Sequence, residues 1–103
     1  MIKAGGIWVS PAEVEAVLIE HDAVLEAAVV GARDASGLEE TVAFLVPRSG
    51  ATIDPDDIDA HCRSRMAAFK RPRRVVVVEE LPKTATGKIR RFALRDSLVA
   101  SRG

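Results

Sequence analysis

Cysteine is nearly absent: Cys62 is the only one in 103 residues. An internal disulfide is therefore excluded, and a reducing, cytoplasmic setting is the simplest expectation. Aromatic side chains make up 4%, too few for a surface that stacks a run of nucleic-acid bases. No apolar run approaches the ~20 residues needed to cross a bilayer, and the N-terminus lacks a signal-peptide pattern, so no membrane partner is expected. There is no internal repeat and no low-complexity tract. The two histidines, His21 and His61, have no cysteine or carboxylate at ligand spacing. They read as surface or helix-end residues, and no metal site is expected.

Net charge is also lacking, but the zero hides an asymmetry. Residues 1–62 carry three basic and twelve acidic side chains, and residues 63–103 carry twelve basic and three acidic. Either the basic half meets a polyanion, such as a phosphorylated cofactor, or the two halves simply face each other. What remains is an ordinary globular composition, 48% hydrophobic, at the length of one small domain with a modest core.

The order of elements follows from periodicity and punctuation. Ile2-Lys3-Ala4 and Ile7-Trp8-Val9 read as two short extended pieces turned on Gly5-Gly6. Ser10 caps a helix, Pro11 suits its first position and Glu13 completes a capping box, with Val14, Val17 and Leu18 at helical spacing and an end near His21. Val24–Gly31 and Thr41–Val46 read as strands separated by a turn at residues 33–37. Asp54 and Pro55 open a second helix, in which Ile58, Cys62, Met66 and Phe69 share one face until Pro72 breaks it. On that face Cys62 is a small core residue, not a nucleophile. Arg74 with four successive valines predicts a strand buried on both faces. After the loop 81–88, Ile89–Val99 predicts a terminal helix that packs Phe92, Leu94, Leu98 and Val99. The expected fold is a small three-stranded sheet flanked by helices with an N-terminal β-hairpin, in the α/β (α+β) class.

Two segments are suited to chemistry. In Pro82-Lys83-Thr84-Ala85-Thr86-Gly87-Lys88-Ile89, a lysine follows a glycine turn. A phosphate loop is excluded, because it needs glycine where Pro82 stands and serine or threonine where Ile89 stands. Lys88 is either an exposed loop lysine or a cation presented to a ligand with little slack after a buried strand. In Phe69-Lys70-Arg71-Pro72-Arg73-Arg74, a ring sits among four cations, suited to base stacking and forked phosphate contacts. The plainer alternative is a solvated basic turn with Phe69 in the core. The carboxylate pairs Glu39-Glu40 and Asp56-Asp57 sit in turn and helix-start contexts and need no catalytic role.

Three stretches together resemble one family. Ile2-Lys3-x-Gly5-Gly6-x-x-Val9-Ser10-Pro11-x-Glu13-Val14-Glu15 resembles the post-hinge motif of the adenylate-forming enzymes, which include acyl-CoA synthetases, peptide-synthetase adenylation domains and luciferases. Pro82-Lys83-Thr84-x-x-Gly87-Lys88-Ile89 is similar to their terminal lysine motif, and Phe69-Lys70-x-Pro72 lies between at the expected place. Ile7-Trp8-Val9-Ser10-Pro11 and Thr84-Ala85-Thr86 lean toward benzoate-type aryl-CoA ligases.

The resemblance implies that residues 1–103 are the mobile C-terminal lid domain of an acid–CoA ligase. The large N-terminal domain, its partner, and the hinge residue expected just before Met1 lie outside the chain. It implies ATP, coenzyme A and Mg2+ as cofactors, held mainly by the N-terminal domain, and a carboxylic acid as substrate. In the first step the carboxylate attacks the α-phosphate of ATP, with Lys88 bridging the two. In the second, after the domain rotates, coenzyme A displaces AMP. Gly5 and Gly6, with Trp8 beside them, then line the pantetheine path, while Phe69, Arg71 and Arg73 meet the adenine and 3′-phosphate. Alone, the chain is expected to be inactive. Two other readings fit the residues: the lid of a peptide-synthetase adenylation domain, whose carrier-bound thiol lacks a nucleotide for those cations, and a non-catalytic basic module for nucleic acid. On the first reading no nucleic-acid partner is expected.

Overall fold

The computed structural model describes the backbone of residues 2–4, 7–33 and 35–102, with the side chains of all but residues 4 and 99–102. The order is β1 (Ile2–Ala4), β2 (Ile7–Val9), α1 (Pro11–Ile19), β3 (Val24–Arg33), β4 (Glu39–Pro47), α2 (Pro55–Arg63), a 3-10 turn (Ala68–Lys70), β5 (Arg74–Val77) and α3 (Arg91–Arg102). β1 and β2 form an antiparallel pair with Ile2 opposite Val9. The Gly5-Gly6 turn expected between them lies outside the described residues. The three-stranded sheet runs β3-β4-β5, antiparallel between β3 and β4 and parallel between β4 and β5.

The sheet divides the core by the two-residue alternation of its strands. Ala27, Val29, Ala43 and Leu45 face α1, α2 and the N-terminal hairpin, packing with Ile2, Val9, Val14, Leu18, Ile58 and Cys62. Ala28, Val30, Val42, Phe44 and Val46 face the other way, onto Leu81, Leu94 and Leu98. A register shift between Val24 and Glu26 puts one extra residue into β3. It turns Val24 to the same face as Ala27 and leaves Leu25 exposed. Both faces of the hairpin β3–β4 are thus covered, and each large side chain buried there contributes about 1.5–3 kcal/mol by removal from water.

Four local expectations are corrected. β5 is an edge strand whose valines are half-buried, with Val77 exposed, because neither of its faces is fully covered; β3, although the opposite edge, and β4 are the strands buried on both faces. Four valines in a row mark strand propensity, which an edge strand shares. α2 ends at Arg63 with Ser64 as its cap, nine residues before Pro72, the helix breaker expected to stop it. Met66 still packs against the core, but Phe69 falls in the 3-10 turn and is exposed. Ser10 stands at the N-cap of α1 without a side-chain hydrogen bond, so no capping box forms. Glu13 instead accepts from Lys70 Nζ at 2.7 Å. Phe92, expected to pack, is 74% exposed at the start of α3.

Asp54 caps α2 as its sequence predicts, accepting from Asp56 N at 2.9 Å. Cys62 is buried on the expected face, and that burial, with Asp59 nearby, pushes its thiol pKa up; Arg71 and Arg65 act in the opposite direction. Among the described residues no helix is long and apolar enough to cross a membrane.

Candidate functional site

The charge asymmetry resolves largely within the fold. Lys70 pairs with Glu13, Arg74 with Glu40, Lys83 with Glu26, Arg91 with Glu15 and Arg65 with Glu20, each joining the basic half of the chain to the acidic half. These contacts consume two of the four cations of the 69–74 segment. Arg71 and Arg73 form no ion pair among the described residues.

That segment lies where the 3-10 turn hands over to β5. The Arg73 amide donates to the Thr41 carbonyl at 2.8 Å, which starts the pairing with β4 and leaves the Arg73 side chain exposed. β2 runs beside the 3-10 turn, so exposed Trp8 belongs to the same region as exposed Phe69. Each ring has a cation near its face: Lys3 Nζ lies 5.6 Å from the Trp8 centroid and Lys70 Nζ 5.8 Å from that of Phe69. Two open aromatic faces and two unpaired guanidinium groups suit a ligand that carries a base and phosphates. Gly5 and Gly6 lie outside the described residues.

Lys88 sits on a separate, tightly hydrogen-bonded loop. Lys83 and Ile89 form an antiparallel bridge. Thr84 N donates to Lys88 O at 2.8 Å, Gly87 N to Thr84 O at 2.9 Å, and Arg90 N to Pro82 O at 2.8 Å. Thr84 Oγ1 accepts from Lys88 N at 3.1 Å and contacts Thr86 Oγ1 at 3.0 Å. Gly87 adopts φ +87°, a backbone region that side chains disfavour. Leu81 anchors one end in the core and Ile89 packs partly against it. The lysine itself is exposed and makes no ion pair among the described residues. A cation on a braced turn, with no internal partner, is available to an external anion.

Two features escaped the sequence. Glu15 is 13% exposed and ties α1 to both β3 and Arg91, 76 residues away; no spacing rule reaches across that distance. His21 and His61 are neighbours, their rings at 5.2 Å and 74°, with His61 Nε2 2.7 Å from the Val17 carbonyl oxygen and His21 Nδ1 accepting from Ala23 N. They close the ends of α1 and α2. Among the described residues there is no group of three or more His, Cys, Asp or Glu side chains placed to hold a metal ion.

Residues 13–88 match the profile of the AMP-binding enzyme C-terminal domain. The chain belongs to that family. It is 49% identical over 100 residues to a benzoate–CoA ligase of Thauera aromatica, covering 94% of this chain and 19% of that protein. It is 43% identical to a 4-hydroxybenzoate–CoA/benzoate–CoA ligase of Rhodopseudomonas palustris, covering 93% and 19%. Among solved structures, the anthranilate CoA ligase AuaEII in complex with anthranoyl-AMP superposes with a TM-score of 0.90 at 50% identity, over 98% of this chain and 20% of that one. The chain thus spans about a fifth of the length of these relatives. The family confirms the fold expected from the sequence, helices around a three-stranded sheet with an N-terminal hairpin.

Proposed function

We propose that this chain is the C-terminal domain of an ATP-dependent aryl- or acyl-CoA ligase, and that Lys88 serves its adenylation step. The observation that carries the reading is Lys88 itself, exposed and without an ion-pair partner among the described residues, on a loop braced by Thr84 and Gly87. Adenylate formation brings together two anions, a carboxylate and a polyphosphate. A fixed ammonium between them offsets their repulsion and orients the attack without reorganising at the moment of reaction. The carboxylic acid is an aromatic one on the names of the similar ligases. ATP supplies the leaving pyrophosphate, and the site that binds it and Mg2+ belongs to the N-terminal domain that accompanies this family's C-terminal domain.

In the same reading Arg71 and Arg73 hold the 3′-phosphate of coenzyme A, Phe69 meets its adenine, and Trp8 stands beside the path of its thiol arm. Gly5 and Gly6 belong to the path of its thiol arm. That neither guanidinium group forms an ion pair among the described residues supports coenzyme A over a carrier-bound phosphopantetheine, which has no nucleotide to engage them. The deciding experiment uses Lys88→Ala in the intact ligase. Pyrophosphate exchange should fall about 10²- to 10³-fold, the loss typical of one preorganised charge donor. Thioester formation from pre-made acyl-adenylate should be largely retained. Exchange at the wild-type rate would remove Lys88 from the mechanism.

A further inference from the structure

The loop that presents Lys88 is held at both ends by carboxylates on other elements. On its N-terminal arm Lys83 Nζ donates to Glu26 Oε1 of β3 at 2.5 Å, with both side chains a third or more exposed. On its C-terminal side the tie is deeper. Arg91 Nη2 donates to both carboxylate oxygens of Glu15, at 2.7 Å to Oε1 and 2.6 Å to Oε2. Glu15 Oε2 also accepts from the Val29 amide of β3 at 2.7 Å. Val29 lies on a strand with only one neighbour in the sheet, so its outward amide would otherwise lack a partner in the protein. The carboxylate is thus fixed by strand and helix before Arg91 reaches it. Arg91 follows Lys88 by three residues, a span of about 10 Å at most.

We propose that Glu15 and Arg91 are positioning residues for Lys88: they fix where the loop leaves the body of the domain, and so where its ammonium lies during adenylation. The inference rests on the Lys88 reading above. Arg91 is 39% exposed, and ion pairs that open to solvent add little to global stability. Their effect on geometry is greater, because small displacements of a reacting group are amplified in rate. A staple that only held α3 to α1 would weaken both half-reactions together and lower the unfolding temperature. A positioning pair slows adenylation alone, and only while Lys88 is present.

The test uses the intact ligase that carries this chain, with Glu15→Gln, Arg91→Lys and Arg91→Gln, each alone, and Glu15→Gln combined with Lys88→Ala. Pyrophosphate exchange, thioester formation from pre-made acyl-adenylate and the thermal midpoint are measured for each. Glu15→Gln and Arg91→Gln should lower the kcat of exchange about 10-fold at unchanged KM for ATP. Thioester formation should stay within about twofold, and Arg91→Lys should recover part of the loss. On top of Lys88→Ala, Glu15→Gln should cost nothing further, since its effect runs through the missing ammonium. Equal losses in both half-reactions, or an undiminished loss in the Lys88→Ala background, would overturn the proposal while leaving Lys88 in place. Full exchange by Glu15→Gln when Lys88→Ala is slow would do the same. Full exchange by Lys88→Ala would instead overturn the functional reading, and the positioning role with it.

Discussion

Gly87→Ala isolates the conformational part of the Lys88 argument from its charge. A Cβ at position 87 would meet nothing within 4 Å, so the substitution creates no collision. The whole cost is the backbone, held at φ +87°. A residue other than glycine pays about 1–2 kcal/mol for a left-handed conformation. The hydrogen bonds that close this turn, from Gly87 N to Thr84 O and from Lys88 N to Thr84 Oγ1, are worth about 1 kcal/mol each net. Strain of that size is comparable with what holds the turn, so the tip shifts to relieve it and carries Lys88 with it. At about 1.4 kcal/mol per decade, adenylation should slow about 5- to 30-fold. Asparagine tolerates the left-handed region better than alanine does, so Gly87→Asn should fall between wild type and Gly87→Ala. The assay is pyrophosphate exchange, with the thermal midpoint as control; the midpoint should hardly move, because the loop is exposed. If alanine exchanged as fast as glycine, the turn geometry would have no part in presenting Lys88.

Other outcomes follow from the same contacts. Arg71→Ala and Arg73→Ala should each raise the KM for coenzyme A about 5- to 30-fold, the equivalent of 1–2 kcal/mol. They should also discriminate less than wild type between coenzyme A and its dephospho form, and undiminished discrimination would refute the 3′-phosphate contact. Thr41 is 1% exposed and its hydroxyl has no partner among the described residues. Thr41→Val should therefore stabilise the chain by about 1 kcal/mol, raising the melting midpoint by about 4–8 °C; a drop would reveal a hidden partner. Burial raises the Cys62 thiol pKa, so the native state keeps its proton at a pH where the unfolded state loses it. Stability should then decline as pH rises above the ordinary thiol range, and Cys62→Ala should flatten that decline, as followed by denaturant titration.

The fold was legible where periodicity and punctuation coincide. The Asp54-Pro55 start of α2, the β3 and β4 runs and the Leu94–Leu98 spacing of α3 are all local signals, and all are present in the structure. The failures have one cause: burial is decided by neighbours, which a local pattern does not name. Val75–Val78 look like a central strand, yet the chain places them at an edge. Phe69 continues the i, i+4 stripe of α2 on paper, but the helix ends at Arg63, so the ring turns outward. Ser10 and Glu13 have the right spacing for a capping box, but Lys70 draws Glu13 away. The site is divided in the same manner. Lys88, Arg71 and Arg73 are candidates legible from their motifs, whereas Glu15 became a candidate only once β3 and α3 had been packed against α1.

Helix α1 is where these threads meet. Val14 and Leu18 are fully buried, so the helix cannot roll without emptying the core. Glu13 and Glu15 are two positions apart, which at ~100° per residue sends them to opposite flanks. Glu13 reaches Lys70 beside Phe69 and Arg71 on one flank, and Glu15 reaches Arg91 beside the Lys88 loop on the other. One buried helix therefore braces both candidate sets, the residues proposed to face coenzyme A and the lysine proposed for adenylation. If the domain serves two half-reactions in turn, it needs no internal rearrangement to do so. Each set would stay fixed to α1, and a rotation of the whole body would exchange one for the other. On this argument Glu13→Gln should disturb the coenzyme step and spare adenylation, the reverse of Glu15→Gln, when both half-reactions are measured separately. The contacts of Glu13 are more exposed than those of Glu15, with 54% against 13% of the side chain open. Its effect should be the smaller of the two, about two- to fivefold on the KM for coenzyme A. Identical half-reaction profiles for the two variants would show that α1 couples the sets and does not merely brace them.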